Sequence, residues 1–181
     1  MLPDTSPPAT SGSAAEPRSS ECSVTALAPA MKTVLLVHLV ATAFMTGLIW
    51  YVQVVHYPLM AGWPHDDFGR WEASHRERTA AVVIPAMLVE GATAAWLGIR
   101  PPRRVPPWLL AAAAITLVCI WASTFFLQVP AHDRLTLGWD ADVHARLVAT
   151  NWIRTALWSM RLVLIAIAVH SLLEDDAPPA E

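Results

Sequence analysis

The sequence predicts an all-α integral membrane protein whose four helices form an up-down-up-down bundle. Of its 181 residues, 55% are hydrophobic and 15% are charged, which leaves too little charge to cover the surface of a soluble domain. The apolar residues are concentrated in four blocks, each close to the roughly 20 residues that a helix needs to cross about 30 Å of hydrocarbon. A soluble helix would show polar residues every three or four positions, and stretches such as LLAAAAITLVCI lack this pattern.

These blocks define the domain organisation. Residues 1–30 are rich in Pro, Ser, Ala and Thr without apolar periodicity, and they are predicted to be a disordered tail. The acidic residues 175–181 are predicted to be a second disordered tail. Residues 31–174 form the predicted membrane domain, and its spans are predicted at 33–55, 79–99, 108–129 and 152–173.

The connections between the spans carry further predictions. Residues 68–78 are expected to form a short amphipathic helix, because Glu72 and His75 would then share a face with Thr79. A second short helix is expected between the third and fourth spans. The connection 100–104 contains three arginines, and arginine at a membrane end favours the cytoplasmic side. We therefore expect both termini in the cytoplasm, although arginines in the opposite loops keep this bias small. The near absence of lysine beside abundant Ala, Pro and Arg indicates a bacterial chain, so a multi-pass protein of the inner membrane is expected.

Polar side chains inside the spans are the most informative, since each costs about a few kcal/mol at the bilayer centre unless it has a partner. In two spans they follow alternating steps of three and four residues, which keep side chains on one helix face. Both stripes are expected to face the bundle interior. They comprise His38, Thr42, Met45, Ile49, Gln53 and His56 in the first span, and His144, Leu147, Asn151, Arg154, Trp158 and Arg161 in the fourth.

The up-down order places most of the histidines at one membrane surface, where function is expected. This histidine-rich side comprises His56, His65, His75, His132 and His144, together with Asn151 and Arg154. Glu90 and Arg161 lie about eleven and nine residues from this side, and at about 1.5 Å per residue their depths nearly agree. They are predicted to pair, and such a pair can fix helix register without taking part in chemistry.

Several histidines near one pocket indicate metal binding or acid-base chemistry. The chain has no closely spaced Cys-x-x-Cys or His-x-x-x-His pair, so a metal site would have to be assembled from different helices, with His56, His75 and His132 as ligands. The cofactor is therefore either absent or a transition metal. The alternative is that these histidines only hydrogen-bond backbone carbonyls and lipid headgroups at the membrane surface.

Tryptophans and glutamines suggest where a substrate would bind. Most of the nine tryptophans lie where an aromatic belt is expected. Others lie deeper and are candidates to wall an apolar pocket. The predicted substrate-binding residues are Trp50, Gln53, Trp121, Gln128 and Trp158. The chain has no Gly-rich phosphate loop, no Gly-x-Ser-x-Gly elbow and no basic stripe with aromatics, which disfavours nucleotide hydrolysis, serine hydrolysis and nucleic-acid binding.

Three short motifs are spread across the chain. They are the Tyr57-Pro58-Leu59 exit of the first span, Gln128-Val-Pro-Ala-His132-Asp-Arg-Leu135, and Asn151-Trp-Ile-Arg154-Thr155. Together these motifs resemble the anthrone-oxygenase-like family of small four-span membrane proteins. The resemblance implies a membrane-embedded bundle whose few characterised relatives oxidise polyketide anthrones to quinones without a familiar cofactor. The chain carries His132 and Asp133 where the family pattern has Asn, which indicates a sister group.

Oxidation of a phenolic substrate needs a base that forms an electron-rich anion and a donor that stabilises it. The predicted catalytic residues are His132 and His75 as the base, with Asn151 and Arg154 as the donors. The competing prediction is a non-enzymatic membrane protein that binds a lipid or quinone, or assembles with a complex or with a second copy of itself. Transport ranks last, because it needs a polar path through the whole bilayer.

Overall fold

The computed structural model describes residues 19–173, with side chains from 29 to 172, and this part of the chain is helical without strands. The helices are α1 (Ser19–Tyr51), α2 (Tyr57–Met60), α3 (Phe68–Ile99), α4 (Pro107–Ser123), α5 (Val129–Leu135) and α6 (Ala141–Leu173). Both predicted tails lie largely outside the described residues. The backbone of residues 19–30 is the exception, because it continues α1.

Four continuous helical segments are long and apolar enough to cross a membrane. They are span 1 (Pro29–Met60), span 2 (His65–Ile99), span 3 (Pro107–Leu135) and span 4 (Ala141–Leu172). The predicted all-α membrane bundle is therefore confirmed. The segment 68–78 is helical, but it is not a separate short helix. It forms one helix α3 with the predicted second span at 79–99, because no helix breaker separates the two. Helix α6 likewise begins at Ala141, so the short helix expected before the fourth span is its first part.

Spans 1 and 3 each contain one wide π-helical turn, at Val52–His56 and Thr124–Gln128. A proline follows each turn by two positions, at Pro58 and Pro130. Proline has no N–H, and its ring presses on the carbonyl four residues earlier, which here lies inside the π turn. The chain therefore widens at the same place in both spans, and each π turn carries one buried glutamine, Gln53 or Gln128.

Three apolar clusters show how the helix ends meet. One cluster joins the C-terminal ends of spans 1 and 3 to the N-terminal ends of spans 2 and 4, through Tyr57, Met60, Phe68, Leu135, Val143 and Leu147. The cluster at the opposite end contains Leu35, Leu97, Val105, Leu109 and Ala168. The third cluster contains Met45, Ile49, Met87, Ile120 and Trp158. At each end of the bundle, the C-terminal end of one span thus meets the N-terminal end of the next. The end that contains the first cluster is called the Tyr57 end.

The helices pack unevenly around the bundle. Helix α6 packs closely on both α1 and α4, and α1 packs closely on α3, whereas α3 meets α4 only sparsely. The seam between α3 and α4 closes where Gly91 lies against the indole of Trp121, since a Cβ at Gly91 would come within 3.1 Å of that ring. Closer to the Tyr57 end the seam is not closed in this way, and this leaves room for a cavity.

The first turn of α3 is held against the segment that follows α5. A Cβ added at Gly69 would collide with the backbone carbonyl of Thr136, so only glycine permits this close approach. Gly138, two residues after Thr136, has a φ of +142°, a backbone conformation that residues with a side chain rarely adopt. These two glycines bring the start of span 2 next to the end of span 3.

Candidate functional site

The described residues include two buried polar clusters, of which the first lies deep in the bundle and is centred on Glu90 and Arg161. The pair predicted from their depths is formed, with 2.7 Å between Arg161 Nε and Glu90 Oε1, and both side chains are almost completely buried. Glu90 also accepts hydrogen bonds from Thr42 Oγ1 at 2.8 Å and from Trp158 Nε1 at 3.2 Å. Arg161 also donates to the carbonyl of Ala113.

His38 completes this deep cluster. Its Nε2 lies 2.9 Å from Arg161 Nη2, and its Nδ1 lies 2.6 Å from Thr93 Oγ1. A guanidinium can only donate, so Nε2 accepts and the ring proton resides on Nδ1. Thr93 Oγ1 accepts this proton in a hydrogen bond and donates its own hydrogen bond to the carbonyl of Val89. Each polar group in this cluster has a partner, which fits the structural role considered for the pair.

The second cluster lies at the Tyr57 end and borders a cavity of about 550 Å³. That volume is within the range of roughly 300–1,000 Å³ typical of small-molecule sites. One part of its wall is apolar and comes from spans 1, 2 and 3. The other part is polar and includes Tyr57, His75, Gln128, His132 and Arg154. A cavity with this division suits a molecule that has an apolar body and a polar head.

A chain of hydrogen bonds runs along the polar wall from a carboxylate to a phenol. His132 Nδ1 lies 2.5 Å from Glu72 Oε1, and Glu72 is fully buried. The other ring nitrogen of His132, Nε2, lies 3.0 Å from the hydroxyl of Tyr57, and that hydroxyl lies 3.4 Å from Gln128 Oε1. Because the carboxylate can only accept, Nδ1 donates to Glu72, and Nε2 is then able to exchange a proton with Tyr57.

Two more histidines stack beside this chain. The rings of His56 and His75 stack with centroids 4.3 Å apart and an angle of 25° between their planes, and the ring of His75 is 5.5 Å from that of His132. His75 Nδ1 contacts Thr79 Oγ1 at 3.1 Å. Among the described residues, the buried atoms His56 Nε2 and Glu72 Oε2 have no hydrogen-bond partner. The structure therefore brings the three histidines of the predicted metal site together.

Their arrangement is nevertheless not that of a metal centre as it stands. Both ring nitrogens of His132 are already engaged, by Glu72 and by Tyr57. In the part of the chain that the structure describes, no group of three or more His, Cys, Asp or Glu is arranged to hold a metal ion. The metal site at His56, His75 and His132 stays a prediction.

Arg154 brings a buried positive charge to the cavity. Its Nη1 donates to Asn151 Oδ1 at 3.2 Å, and its guanidinium lies 5.3 Å above the ring centroid of Trp158. Asn151 is held in turn by Gln53 Oε1 at 2.8 Å, and Gln53 donates to the carbonyl of Val148. Arg154 Nε is buried without a hydrogen-bond partner. Asn151 and Gln53, which do not line the cavity, therefore position the arginine that does.

The predicted site residues fall into three positions. His75, Gln128, His132 and Arg154 line the cavity, whereas Asn151, Gln53 and His56 lie behind or beside it. The three tryptophans do not contribute to the cavity lining. Trp50 is 44% exposed and bonds Ser159, Trp121 packs on Gly91, and Trp158 joins the deep cluster.

Tyr57 and Glu72 are the two members of the hydrogen-bond chain that the predicted site residues omit. A signal for Glu72 exists, because it precedes His75 by three positions on one helical face and is the acidic residue of that face. Tyr57 offers no such signal, since an aromatic residue beside a histidine at a membrane surface is ordinarily part of the aromatic belt. Only the packing of spans 1 and 3 brings its hydroxyl to His132.

Comparison with protein-family models, with curated proteins and with solved structures finds no match to this chain.

Proposed function

We propose that this multi-pass membrane protein is an oxygenase that oxidises an apolar phenolic or quinone-like substrate in the cavity at the Tyr57 end. The observation that carries the proposal is the hydrogen-bond chain from Glu72 through His132 to Tyr57, which reaches the wall of a cavity whose remaining lining is mainly apolar. Such a site combines a binding pocket for a flat apolar molecule with a base that can exchange protons. The resemblance of the motifs to the anthrone-oxygenase-like family supports the same reaction class.

The chemistry begins with removal of a proton from an activated methylene group next to the substrate's aromatic rings. His132 accepts this proton directly or through Tyr57, and the buried carboxylate of Glu72 stabilises the imidazolium that forms. Arg154 lies on the same cavity wall and stabilises the negative charge that develops on the substrate oxygen. The resulting anion is electron-rich, and it donates electrons to dioxygen.

The proposed reaction balances with dioxygen as the only oxidant. The substrate carbon forms a bond to dioxygen, and the bound peroxide takes back a proton from His132. Loss of water then breaks the O–O bond and leaves a carbonyl. The methylene carbon thus loses two hydrogens and gains one oxygen, while the second oxygen atom leaves as water.

The test is turnover by the purified protein in detergent micelles with an anthrone-type substrate and dissolved oxygen. Oxygen consumption and quinone absorbance should rise together in equal amounts. His132→Ala should lower the rate about 10²- to 10⁴-fold, the usual contribution of a positioned acid-base group. Because this change also leaves the buried carboxylate of Glu72 without its partner and lowers stability, the rate is measured below the unfolding temperature of each variant. His65→Ala is the matched control, because His65 stacks on Trp139 and does not line the cavity. Equal rates for both variants would refute the role of His132.

A second function is favoured by the unpartnered atoms at this site. The same cavity could hold a lipid or quinone for binding alone, since a ligand would satisfy the buried polar atoms without reacting. Binding of a quinone analogue with no oxygen consumption, unaffected by His132→Ala, would favour this reading. We further propose that the protein resides in the bacterial inner membrane with both termini in the cytoplasm. The arginines at 100–104 support this orientation, and the near absence of lysine beside abundant Ala, Pro and Arg supports a bacterial origin.

A further inference from the structure

Arg154 is a buried cation without a carboxylate partner among the described residues. Its side chain is 7% exposed, it lines the cavity, and the ion pairs of the described residues do not include it. The one carboxylate in the neighbouring hydrogen-bond chain, Glu72, is engaged by His132. A buried charge that lacks an opposite charge is costly, and a ligand that supplies one recovers that cost.

The guanidinium is also oriented for a ligand. Asn151 holds it through Nη1, and Trp158 lies against its face, while Nε has no hydrogen-bond partner. Arginine binds oxyanions through parallel N–H donors in a planar fork, and the edge that contains Nε is one such fork. Tyr57 also hydrogen-bonds the guanidinium, but Nε itself stays without a partner and is left for a ligand.

The apolar part of the cavity reaches the outer surface of the bundle. Ile84 on span 2 and Phe125 on span 3 both line the cavity, yet they are 53% and 56% exposed. They belong to the two spans whose helices α3 and α4 pack sparsely. Deeper in the same cavity lie Met45 and Met87, which are nearly buried. The cavity therefore opens between spans 2 and 3, on a surface that faces lipid when these helices span a membrane.

We propose that the cavity takes a bilayer-dissolved amphiphile whose acidic group is bound as an oxyanion by Arg154, and whose apolar body extends between Ile84 and Phe125 toward the lipid. The acid is a carboxylate or an acidic phenol, which present the same oxyanion to the arginine. This inference rests on the cavity of the proposed function and names the class of its substrate. It concerns binding, so it is testable without turnover.

The first experiment compares a fluorescent polyene fatty acid with its methyl ester. Each probe is titrated into the full-length protein in lipid nanodiscs, and energy transfer from tryptophan reports binding. The wild-type protein should bind the acid about 10- to 100-fold more tightly than the ester, the range expected for a charge-assisted hydrogen bond. Similar affinities for acid and ester would overturn the proposal, and this comparison needs no variant.

Two substitutions localise the charge. Arg154→Gln should bind the acid no better than the ester, and Arg146→Gln should leave the preference for the acid unchanged, because Arg146 is exposed on the same helix and lies outside the cavity. A folded Arg154→Gln protein that keeps the preference would overturn the assignment. Inorganic phosphate should not displace the acid, and displacement at equal concentration would show that the apolar body is not recognised.

The opening between spans 2 and 3 has its own test. Ile84→Trp narrows the opening and should slow transfer of the acid from donor vesicles, whereas Ile115→Trp should not, since Ile115 is 63% exposed on α4 and does not line the cavity. Equal transfer rates for the two variants would overturn this route. A protein that binds the acid but consumes no oxygen with the anthrone-type substrate would refute the proposed oxygenase alone. Turnover of that substrate by a protein that does not prefer the acid probe over its ester would refute this inference alone.

Discussion

Replacing Arg161 by leucine should destabilise the bundle severely, because Glu90 would remain fully buried without its charge partner. Breaking one side of a buried ion pair costs about 3–5 kcal/mol of unfolding free energy. In this protein the loss is not confined to Glu90, since His38 would also lose the donor to its Nε2. Thr42 and Trp158 would still donate to the carboxylate, so the lower half of that range is the expected cost.

The double variant Glu90→Leu with Arg161→Leu separates the pair from other effects. It removes both charges, and the groups that lose a partner are neutral, namely Trp158 Nε1, Thr42 Oγ1 and His38 Nε2. It should therefore be about 2 kcal/mol more stable than Arg161→Leu alone, which leaves a buried charge unpaired. Unfolding is followed by tryptophan fluorescence as denaturing detergent replaces mild detergent in mixed micelles. Trp158 contacts Glu90 and therefore reports on the same region.

An exposed ion pair provides the control. Arg70 and Asp67 lie 2.8 Å apart, but their side chains are 74% and 55% exposed. Arg70→Leu should cost less than about 1 kcal/mol, as for other surface pairs. If the double variant proves as unstable as Arg161→Leu, the coupling between the two charges does not stabilise the fold, and the reasoning is refuted.

Two further predictions concern packing and metal content. Gly69→Ala should lower the unfolding temperature by several degrees, because its Cβ would collide with the carbonyl of Thr136, whereas Gly47→Ala should not, since its Cβ would meet no atom within 4 Å; equal stability of the two variants would contradict this packing. A metal site at the clustered histidines predicts near-stoichiometric transition metal in the purified protein, measured by elemental analysis, and loss of that metal in each single alanine variant. These are the alanine variants of His56, His75 and His132, and metal-free wild-type protein would rule out a resident metal cofactor at this site.

The spans and their inward faces were predictable because the signals are local. Hydrophobic length and helical periodicity are both read within a single segment, so the stripes that contain His38 and Arg154 could be recognised without knowing any neighbour. The contact between Glu90 and Arg161 was also predictable, since charged groups at equal depth in an apolar bundle have strong reason to meet. The lengths of the helices were not, because α3 and α6 extend well beyond the hydrophobic blocks.

The tryptophans show where local reasoning fails. Depth along a helix indicated that Trp50, Trp121 and Trp158 were candidates for a pocket wall, but depth does not say which way a side chain points. Trp50 lies on the outer surface against Trp152, and Trp158 is buried against Glu90. Which helix faces which neighbour depends on the order and rotation of the packed helices, and this is a property of the whole bundle.

The sequence alone determined that this chain forms four helices long and apolar enough to cross a membrane, and that polar residues of two of them lie on inward stripes, since exposure of polar groups to lipid is too costly. Tertiary structure decided which of those polar groups became neighbours. Two proline-induced π turns and the close approach at Gly69 bring Tyr57, Glu72 and His132 into one hydrogen-bond chain. The sparse packing of α3 on α4 leaves the cavity beside it, and such a gap arises only between helices, where no single segment of sequence records it.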